Sequence, residues 1–305
     1  MKIKYSAILI SAALIASASA QGPSGGPSGA PSGGSDTPPD IDNTPPPNSQ
    51  GSPDSSPDSS QDSSQVEFTI LARTAATFTN SGVEGDVAVT PGGAFTMTDS
   101  TIEGDLHAYG SAVTFTRSEV DGDVIADVNG AFTQTTSTIL GQVSADGVDT
   151  AQKAYQKFLD GYDAIAAMPG EIDLTGQSLA GKSLPPGVYY FNAAVTETGG
   201  VLILDGDWED DWTFKIGTGG TGALTFTNFT VVMANGEIYD DQVIWWTAEA
   251  ATFTDSTFIG SIYTGTSATV TRGVLSGKVL AKAAVTLTGT GIAGFNYNQR
   301  HPEVR

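Results

Sequence analysis

The chain has 305 residues, no cysteine, only two histidines and a formal net charge of −21 at pH 7. The lack of cysteine excludes disulfide bonds, thiol catalysis and cysteine-ligated metal sites, and two histidines leave little room for a zinc centre. The negative charge opposes binding to DNA, RNA or anionic membranes, so we expect no metal, no cofactor and no nucleic-acid partner.

Residues 1–20 have the features of a secretory signal peptide. Lys2 and Lys4 precede the apolar run SAILISAALIA, and the small residues Ala18-Ser19-Ala20 form a cleavage site. The apolar run is too short to cross a membrane, and no later stretch reaches the ~20 apolar residues that a spanning helix needs. We expect an exported protein without membrane insertion, which acts outside the cell or attached to its surface.

Gly, Pro, Ser and Asp dominate residues 21–65, which lack an apolar cluster able to offset the conformational entropy of folding. We expect a disordered linker there. The folded domain is predicted at 66–298, and residues 299–305 are predicted to be a C-terminal tail.

A Thr-x-Thr pattern recurs through the folded part at nearly constant spacing. The first three steps are 19, 18 and 19 residues, and the last two are both 17 residues. Such a period is typical of a solenoid, in which each repeat stacks on its neighbours. The copies are Thr77/Thr79, Thr96/Thr98, Thr114/Thr116, Thr133/Thr135, Thr225/Thr227, Thr252/Thr254, Thr269/Thr271 and Thr286/Thr288.

The residues between the threonines are mostly apolar, and this alternation indicates short β-strands. In AFTMT, Phe95 and Met97 point to one side of the strand, and Thr96 and Thr98 point to the other. Strands of this kind, separated by glycine and aspartate turns, bury one apolar row in each coil. The sequence therefore predicts an all-β fold, a β-solenoid with its threonines facing outward.

One segment departs from the strand pattern. From Asp149 to Met168 the apolar residues follow i, i+3, i+4 spacing, and polar residues occupy the other side. Pro169 and Gly170 end this amphipathic helix. It separates two blocks of repeats, and we expect it to lie along one wall of the solenoid.

Several short segments resemble, in their order and spacing, the secreted ice-binding proteins of microbes. The resemblance covers roughly residues 66–295. It implies a right-handed, discontinuous, triangular β-solenoid with one long helix alongside and with interlocking N- and C-terminal blocks. It also implies activity on a flat outer face and no catalysis. The segments are FTILA (68–72), GDVAVTPG (85–92), LPPGVYYF (184–191), VLILDGD (201–207), WTFKIG (212–217), VIWW (243–246), FIGSIYTGTSATVT (258–271) and GKVLAKAAVTL (277–287).

Many members of that family have an irregular ice-binding face, whereas Thr-x-Thr is regular in this chain. Adjacent strands lie ~4.7–4.9 Å apart, and alternate residues of one strand lie ~6.6–6.8 Å apart, so outward threonines form a grid. These spacings are close to the repeats of oxygen atoms on ice. We therefore expect all sixteen threonines to bind ice, and the protein to inhibit ice growth and recrystallisation as a monomer.

Other interpretations of the threonines remain open. Threonine has a high strand propensity and stabilises sheets through Thr–Thr pairs, so the repeat could serve the fold alone. The same flat wall would suit a cell-surface adhesin or matrix protein that binds carbohydrate or mineral. A polysaccharide-active enzyme is a more distant alternative, because no carboxylate pair stands out as catalytic.

Acidic residues recur beside the glycine of three coils. Glu84/Asp86, Glu103/Asp105 and Asp121/Asp123 are expected to stack as an acidic ladder on another wall. We expect such a ladder to form a solvated face, and the alternative is a calcium site, because carboxylate oxygens suit that ion. The segment from Asp205 to Asp211 loosely resembles a calcium loop but lacks its full ligand spacing, and we predict a turn there.

Three further features carry weaker signals. A second threonine column marks either the margin of the face or turn chemistry. His107 is expected at the surface. Asn228 begins a possible N-glycosylation sequon, and a glycan there would crowd the proposed face. The second column consists of Thr101, Thr138, Thr230 and Thr257.

Overall fold

Three parallel β-sheets and one α-helix make up the part of the chain that the computed structural model describes. The predicted signal peptide, linker and tail lie outside that part, and the predicted domain limits stay a prediction. The described residues are 67–127, 130–145, 149–238 and 240–293.

A typical coil contributes one strand of two to five residues to each sheet, with a corner between successive strands. Sheet A contains, in spatial order, β13 (Val143–Ser144), β10 (Val124–Ile125), β7 (Leu106–His107), β4 (Val87–Val89), β1 (Ile70–Ala72), β28 (Val279–Ala281), β25 (Ser261–Thr264), β22 (Val243–Thr247), β19 (Trp212–Ile216), β16 (Gly187–Phe191) and β14 (Ile172–Asp173).

Sheets B and C have the same order of coils. Sheet B contains β11 (Phe132–Thr135), β8 (Ala112–Thr116), β5 (Ala94–Thr98), β2 (Ala75–Thr79), β29 (Ala284–Thr288), β26 (Ala268–Thr271), β23 (Ala251–Thr254), β20 (Leu224–Thr227) and β17 (Val195–Thr198). Sheet C contains β12 (Thr138–Ile139), β9 (Glu119–Val120), β6 (Thr101–Glu103), β3 (Gly82–Glu84), β30 (Gly291–Ala293), β27 (Val274–Ser276), β24 (Thr257–Ile259), β21 (Thr230–Met233), β18 (Val201–Leu204) and β15 (Ser183–Leu184).

The order of coils in space differs from their order in the sequence. The first coil stacks on the last, because β1 pairs with β28, β2 with β29 and β3 with β30, all in parallel. We call this junction the seam. The N-terminal block extends from one side of the seam and the C-terminal block from the other. The predicted triangular, discontinuous β-solenoid is therefore confirmed.

Aromatic side chains fill the interior of the solenoid behind sheet B. Phe78, Phe95, Phe115 and Phe132 form a column with successive ring centroids 5.3, 5.8 and 5.8 Å apart in edge-to-face contacts. Edge-to-face pairs contribute about 0.5–1.5 kcal/mol beyond the area that they bury. The column therefore supports the N-terminal half of sheet B from inside.

Helix α1 (Thr150–Ala167) lies along the outer side of sheet A, as the sequence predicted. The Tyr162 hydroxyl donates to the Thr247 carbonyl at 2.9 Å, and the Trp246 indole N–H donates to the Tyr162 carbonyl at 3.1 Å. Lys215 Nζ donates to the carbonyls of Ala166 and Met168, which stabilises the C-terminal end of the helix. The described residues contain no helix with the length and hydrophobicity of a membrane-spanning segment.

The expectation that His107 lies at the surface is wrong. His107 is 9% exposed and makes an edge-to-face contact with the Phe68 ring, with the centroids 5.0 Å apart. Burial lowers the pKa of His107, and the charge of Asp105 opposes this shift. The sequence pattern missed the burial because Phe68 and the helix cover the outer side of sheet A.

Candidate functional site

All sixteen threonines of the repeat lie on sheet B, where each Thr-x-Thr contributes two outward side chains. Seven of their eight strands bury the residue between the two threonines, as in β5, where Phe95 and Met97 are fully buried and Thr96 and Thr98 are partly exposed. In the end strand β11 the intervening Gln134 is exposed. Neighbouring strands pair threonine with threonine, as in Thr96 with Thr77 on one side and Thr114 on the other. The pairs therefore form two straight columns across the sheet.

A ninth strand, which the sequence analysis missed, extends both columns. Thr196 and Thr198 of β17 are exposed and pair with Thr225 and Thr227. The signal was present as Thr-Glu-Thr, but the central Glu197 interrupts the apolar alternation on which the prediction depended. We call the solvent side of sheet B, with its eighteen threonines on nine strands, the threonine face.

Glu197 occupies an inward position because β17 is the last strand of sheet B at that end. The Glu197 carboxylate accepts hydrogen bonds from the Ser178 hydroxyl at 2.7 Å and from the Leu179 backbone N–H at 2.5 Å. These contacts tie a covering loop to the end of the solenoid. The carboxylate is satisfied there, so β17 keeps its threonines outward.

The corner after sheet B holds the threonine face in place. The residue that follows each Thr-x-Thr has a positive φ, including Thr136, a β-branched residue at 53°. Serines next to these corners bridge successive coils: the Ser100 hydroxyl accepts from the Ser81 N–H at 3.0 Å and donates to the Thr98 carbonyl at 2.8 Å. A non-glycine residue with a positive φ is strained, and such a conformation persists only where the surrounding structure holds it. The serine hydrogen bonds between successive coils hold the corners in this conformation.

Two ion pairs connect neighbouring corners. Arg117 donates to Asp99 through Nε and Nη2, both at 2.6 Å, and Arg272 contacts Asp255 in the same way at 2.8 and 2.7 Å. These hydrogen bonds lower the pKa of Asp99 and Asp255. Exposed pairs add little stability, but the two-point geometry orients the side chains along the rim of the threonine face.

The second threonine column belongs to a different wall. Each of its members begins a strand of sheet C, beyond the corner, in β6, β12, β21 and β24. These threonines therefore do not share the plane of the threonine face. The column is Thr101, Thr138, Thr230 and Thr257.

The aspartates of the acidic ladder are hydrogen-bonded to the backbone. Asp86 Oδ1 accepts from the Asp105 N–H at 2.8 Å, Asp105 Oδ1 from the Asp123 N–H at 2.7 Å, and Asp123 Oδ1 from the Gln142 N–H at 2.7 Å. Each carboxylate thus joins its coil to the next. No group of three or more His, Asp or Glu side chains suited to a metal ion occurs among the residues described.

Glu84, a member of the predicted ladder, has a carboxyl group with a strongly raised pKa. Burial and, secondarily, the charge of Glu103 raise its pKa to about 7. The two glutamates are paired in register on β3 and β6 of sheet C. Glu84 therefore titrates near neutral pH on a wall other than the threonine face.

Two smaller predictions concern loops. Residues 205–211 connect β18 with β19 as a turn, in which the Asp207 N–H donates to Asp210 Oδ2 at 2.9 Å. Asn228 is exposed at the corner after β20, beside Thr227, so a glycan there would stand at the rim of the threonine face.

The fold is a triangular parallel β-solenoid with a helix on one wall, and its regular flat surface is an outer sheet rather than a cleft. These features define the class of β-solenoid proteins with a repetitive outer sheet. Residues 70–293 match the model of the Ice-binding-like family. The chain belongs to this family, whose members are non-enzymatic, and the predicted family relationship is confirmed.

A curated relative supports the same assignment. An ice-binding protein of Nostoc sp. (strain HG1) is 35% identical to the chain over 144 residues, which are 45% of this chain and 51% of the relative. The chain thus matches about half the length of that protein.

Solved structures share the fold at low sequence identity. The ice-binding protein of the Antarctic ascomycete Antarctomyces psychrotrophicus has 21% identity and a TM-score of 0.53, with 77% of this chain and 97% of that chain covered. A Shewanella frigidimarina ice-binding domain has 19% identity and a TM-score of 0.53, with 76% and 96% covered. An Arctic yeast ice-binding protein has 16% identity and a TM-score of 0.54, with 76% and 91% covered.

Proposed function

We propose that this protein binds ice crystals through the threonine face and so inhibits ice growth and recrystallisation. One observation carries the proposal: threonine pairs with threonine across all nine strands of sheet B, including across the seam. A binding surface for a crystal must be periodic, and the in-register pairing of threonines supports that property for this wall.

The side-chain chemistry of threonine fits ordered water. Threonine is β-branched and stiff at χ1, so the columns hold their geometry without a further loss of side-chain entropy. Each methyl group restrains the water above it, and each hydroxyl group can hydrogen-bond to that water. Strand spacings of ~4.7–4.9 Å and ~6.6–6.8 Å then impose a two-dimensional repeat close to that of oxygen atoms on ice.

Two features favour this function over the alternatives. Sheet stability alone does not require threonine at every position, because other polar residues are tolerated on the solvent side and charge protects exposed sheets. Carbohydrate recognition by a flat wall relies on aromatic side chains, and the outward positions of the described Thr-x-Thr strands hold no aromatic residue. An adhesin that recognises sugars therefore fits the surface less well than an ice binder.

The setting that we propose is extracellular, from the signal-like residues 1–20, and the working form is a monomer. One chain provides all nine strands of the threonine face, so a second copy is not needed to complete it. Each contact with ice is weak, and the repetition of contacts within one chain supplies the affinity.

The test replaces a threonine near the middle of each block. Thr114→Tyr and Thr269→Tyr should each abolish ice shaping and greatly reduce thermal hysteresis, because a protruding ring separates the face from the ice. Both sites are solvent-facing, so the stability should change by less than about 0.5 kcal/mol. Thr101→Tyr, on sheet C, is the matched control and should keep full activity.

Thermal hysteresis, ice shaping and recrystallisation should be measured together with the melting temperature of each variant. Loss of activity in the two sheet B variants alone supports the threonine face. Full activity in both sheet B variants, or loss in the Thr101→Tyr control alone, contradicts it.

A further inference from the structure

The two ends of the solenoid are built differently. At the end of the C-terminal block, the segment between β14 and β15 lies against β17: its Leu174 and Leu179 are buried in the core, and the Leu179 N–H donates to Glu197. At the other end, β11, β12 and β13 are the last strands of the three sheets, and the structure describes no strand beyond them. We call the coil that they form, residues 130–144, the open end.

Inward positions at the open end are exposed to solvent. Gln134 and Val143 pair in register with Phe115 and Val124 of the preceding coil. Phe115 and Val124 are buried, whereas Gln134 is exposed and Val143 is 39% exposed. Leu140, at the corner between β12 and β13, is 63% exposed. The described residues therefore leave the interior of the solenoid uncovered at this end, with apolar side chains around it.

The strand edges of the open end lack the usual protection against pairing with another chain. Natural sheets protect an exposed edge with charged side chains, proline or a covering segment, and the terminal repeats of a solenoid are normally polar. Residues 130–144 contain no charged residue and no proline. The coil before them, residues 111–127, contains five charged residues, which are Arg117, Glu119, Asp121, Asp123 and Asp127.

The neutrality of the open end favours a second copy of this chain as its partner. A net charge of −21 opposes contact between two copies wherever acidic side chains meet. At the open end, two copies approach each other without bringing charged residues of that coil together. The contact is therefore possible between chains that repel each other elsewhere.

The terminal segments of the chain itself fit the open end less well. They leave the described domain near the seam, at Glu67 and Ala293, rather than at the open end. The predicted linker, residues 21–65, lacks an apolar cluster that could cover exposed core positions. The segment after Ala293 contains Pro302 and three charged residues, which do not suit a neutral strand edge.

We infer that the open end is a self-association surface, at which the open end of a second copy docks head to head. Such a dimer is isologous, because the same coil meets itself across a two-fold axis, and it leaves no open end exposed. Strand edges of the two copies pair in antiparallel orientation, as in β-augmentation. The inference does not rest on the proposed function, since one chain already holds the complete threonine face.

The association should be weak and reversible, because the end of one solenoid is a small interface. We expect a Kd between about 1 μM and about 1 mM. Added salt should strengthen the association, since it screens the repulsion between two acidic chains and leaves apolar and backbone contacts in place. A contact between complementary charges would show the opposite dependence on salt.

The first experiment is sedimentation velocity of the full chain over a range of protein and salt concentrations. The double variant Leu140→Glu/Gln142→Glu adds two negative charges to the open end. The matched control, Val201→Glu/Val274→Glu, adds the same charge at exposed apolar positions of sheet C away from that end. Circular dichroism and melting temperatures establish that each variant is folded.

The second experiment uses single cysteines in a chain that naturally has none. Gln142→Cys places a thiol at the open end, and Ala180→Cys places one in the segment that covers the other end. Both side chains are exposed, and each variant is treated with a short bifunctional maleimide. This experiment also decides the question if the double glutamate variant fails to fold.

We expect the wild type and the sheet C control to dimerise equally, and the double variant at the open end to associate at least tenfold more weakly. Gln142→Cys should form covalent dimers, and Ala180→Cys should not. Equal association of the two glutamate variants, or cross-links between Gln142→Cys and Ala180→Cys chains in a mixture, would overturn the head-to-head contact.

A wild type that stays monomeric at about 1 mM would also overturn the inference. In that case, protection of Gln142→Cys from a small thiol reagent, compared with Ala180→Cys, would show that another segment of the same chain covers the open end.

Discussion

Thr77 and Thr286 pair directly in register on β2 and β29, although one belongs to the first coil of the described chain and the other to the last. Thr79 and Thr288 form the adjacent pair. A slip of one residue at this seam would turn the threonines of one whole block inward, because side chains alternate along a strand. The continuity of the threonine face therefore depends on the packing that fixes the register of the seam.

The first prediction concerns that packing. Leu287 is fully buried and lies in register between Phe78 and Val270, directly behind the paired threonines. Leu287→Ala removes most of a core side chain and should lower the free energy of unfolding by about 2–5 kcal/mol. Denaturant unfolding of wild type and variant measures this loss.

The Leu287→Ala substitution should lower stability without lowering thermal hysteresis. The outward residues are unchanged in Leu287→Ala, so thermal hysteresis should stay near that of the wild type while the protein is folded. Thr114→Tyr should show the opposite behaviour, with activity lost and stability kept. A Leu287→Ala variant as stable as the wild type would contradict the packing described at the seam.

Much of this architecture could be predicted from the sequence, because it depends on local patterns. The alternation in AFTMT predicted which side chains of a strand point outward and which point inward. The spacing of Thr-x-Thr predicted the number of residues in a coil. The i, i+3, i+4 pattern predicted a helix over 149–168, and the structure has it at Thr150–Ala167.

Features set by the ends and by contacts between distant elements could not be predicted from alternation. Glu197 breaks the apolar pattern of β17 because it caps the end of the solenoid, so the ninth threonine strand was missed. His107 was placed at the surface because nothing local to it shows that Phe68 covers it. The interlocking of the two blocks followed only from the family resemblance, and the order of the coils at the seam was not predicted, since stacking order leaves no local signal.

The second prediction uses the ionisation of Glu84. Its pKa in the folded protein is about 7, above the ordinary value of 4.5, because burial and Glu103 disfavour the charged form. The native state therefore holds the proton more tightly than the unfolded state does. The resulting stabilisation is fully present below about pH 4.5 and is lost as the pH rises through about 7.

Glu84→Gln keeps the shape of the side chain and removes its charge. The variant should be more stable than the wild type at pH 8, by about 1 kcal/mol after allowance for solvent screening of a half-buried group, and the difference should shrink towards pH 5. Melting temperatures of both proteins between pH 5 and pH 8 measure it. Parallel pH profiles for the two proteins would show that Glu84 titrates in its ordinary range.

The third prediction concerns the glycines where the acidic ladder turns. A Cβ at Gly122 would lie 2.1 Å from Asp105 Oδ1 and 2.5 Å from the Gly104 carbonyl oxygen. Gly122→Ala should therefore displace the Asp105 carboxylate from the Asp123 N–H and cost about 1–3 kcal/mol of stability. Gly291→Ala is the matched control, because nothing lies within 4 Å of its Cβ.

The control should be neutral or slightly stabilising, by up to about 1 kcal/mol, since alanine reduces the entropy of the unfolded chain. The free energies of unfolding of Gly122→Ala and Gly291→Ala, measured in the same denaturant, test this difference. Equal stability of the two variants would mean that the coils are less closely stacked at Gly122 than the distances indicate.

The last prediction follows from where the ends of the described domain lie. Near the first described residue, Glu67 forms an ion pair with Lys278, with Nζ and Oε2 2.6 Å apart. At the last described residue, the Ala293 carbonyl accepts a hydrogen bond at 3.0 Å from the N–H of Gly277, which precedes Lys278 in the chain. Both ends thus contact one turn, at the corner between sheets C and A, which is the corner that sheet B does not share. A folded protein fused before residue 67 through the native linker, or after residue 305, should leave thermal hysteresis and ice shaping intact. Loss of ice shaping in either fusion, with an unchanged melting temperature of the solenoid, would show that the binding wall borders this corner and that sheet B has been misassigned.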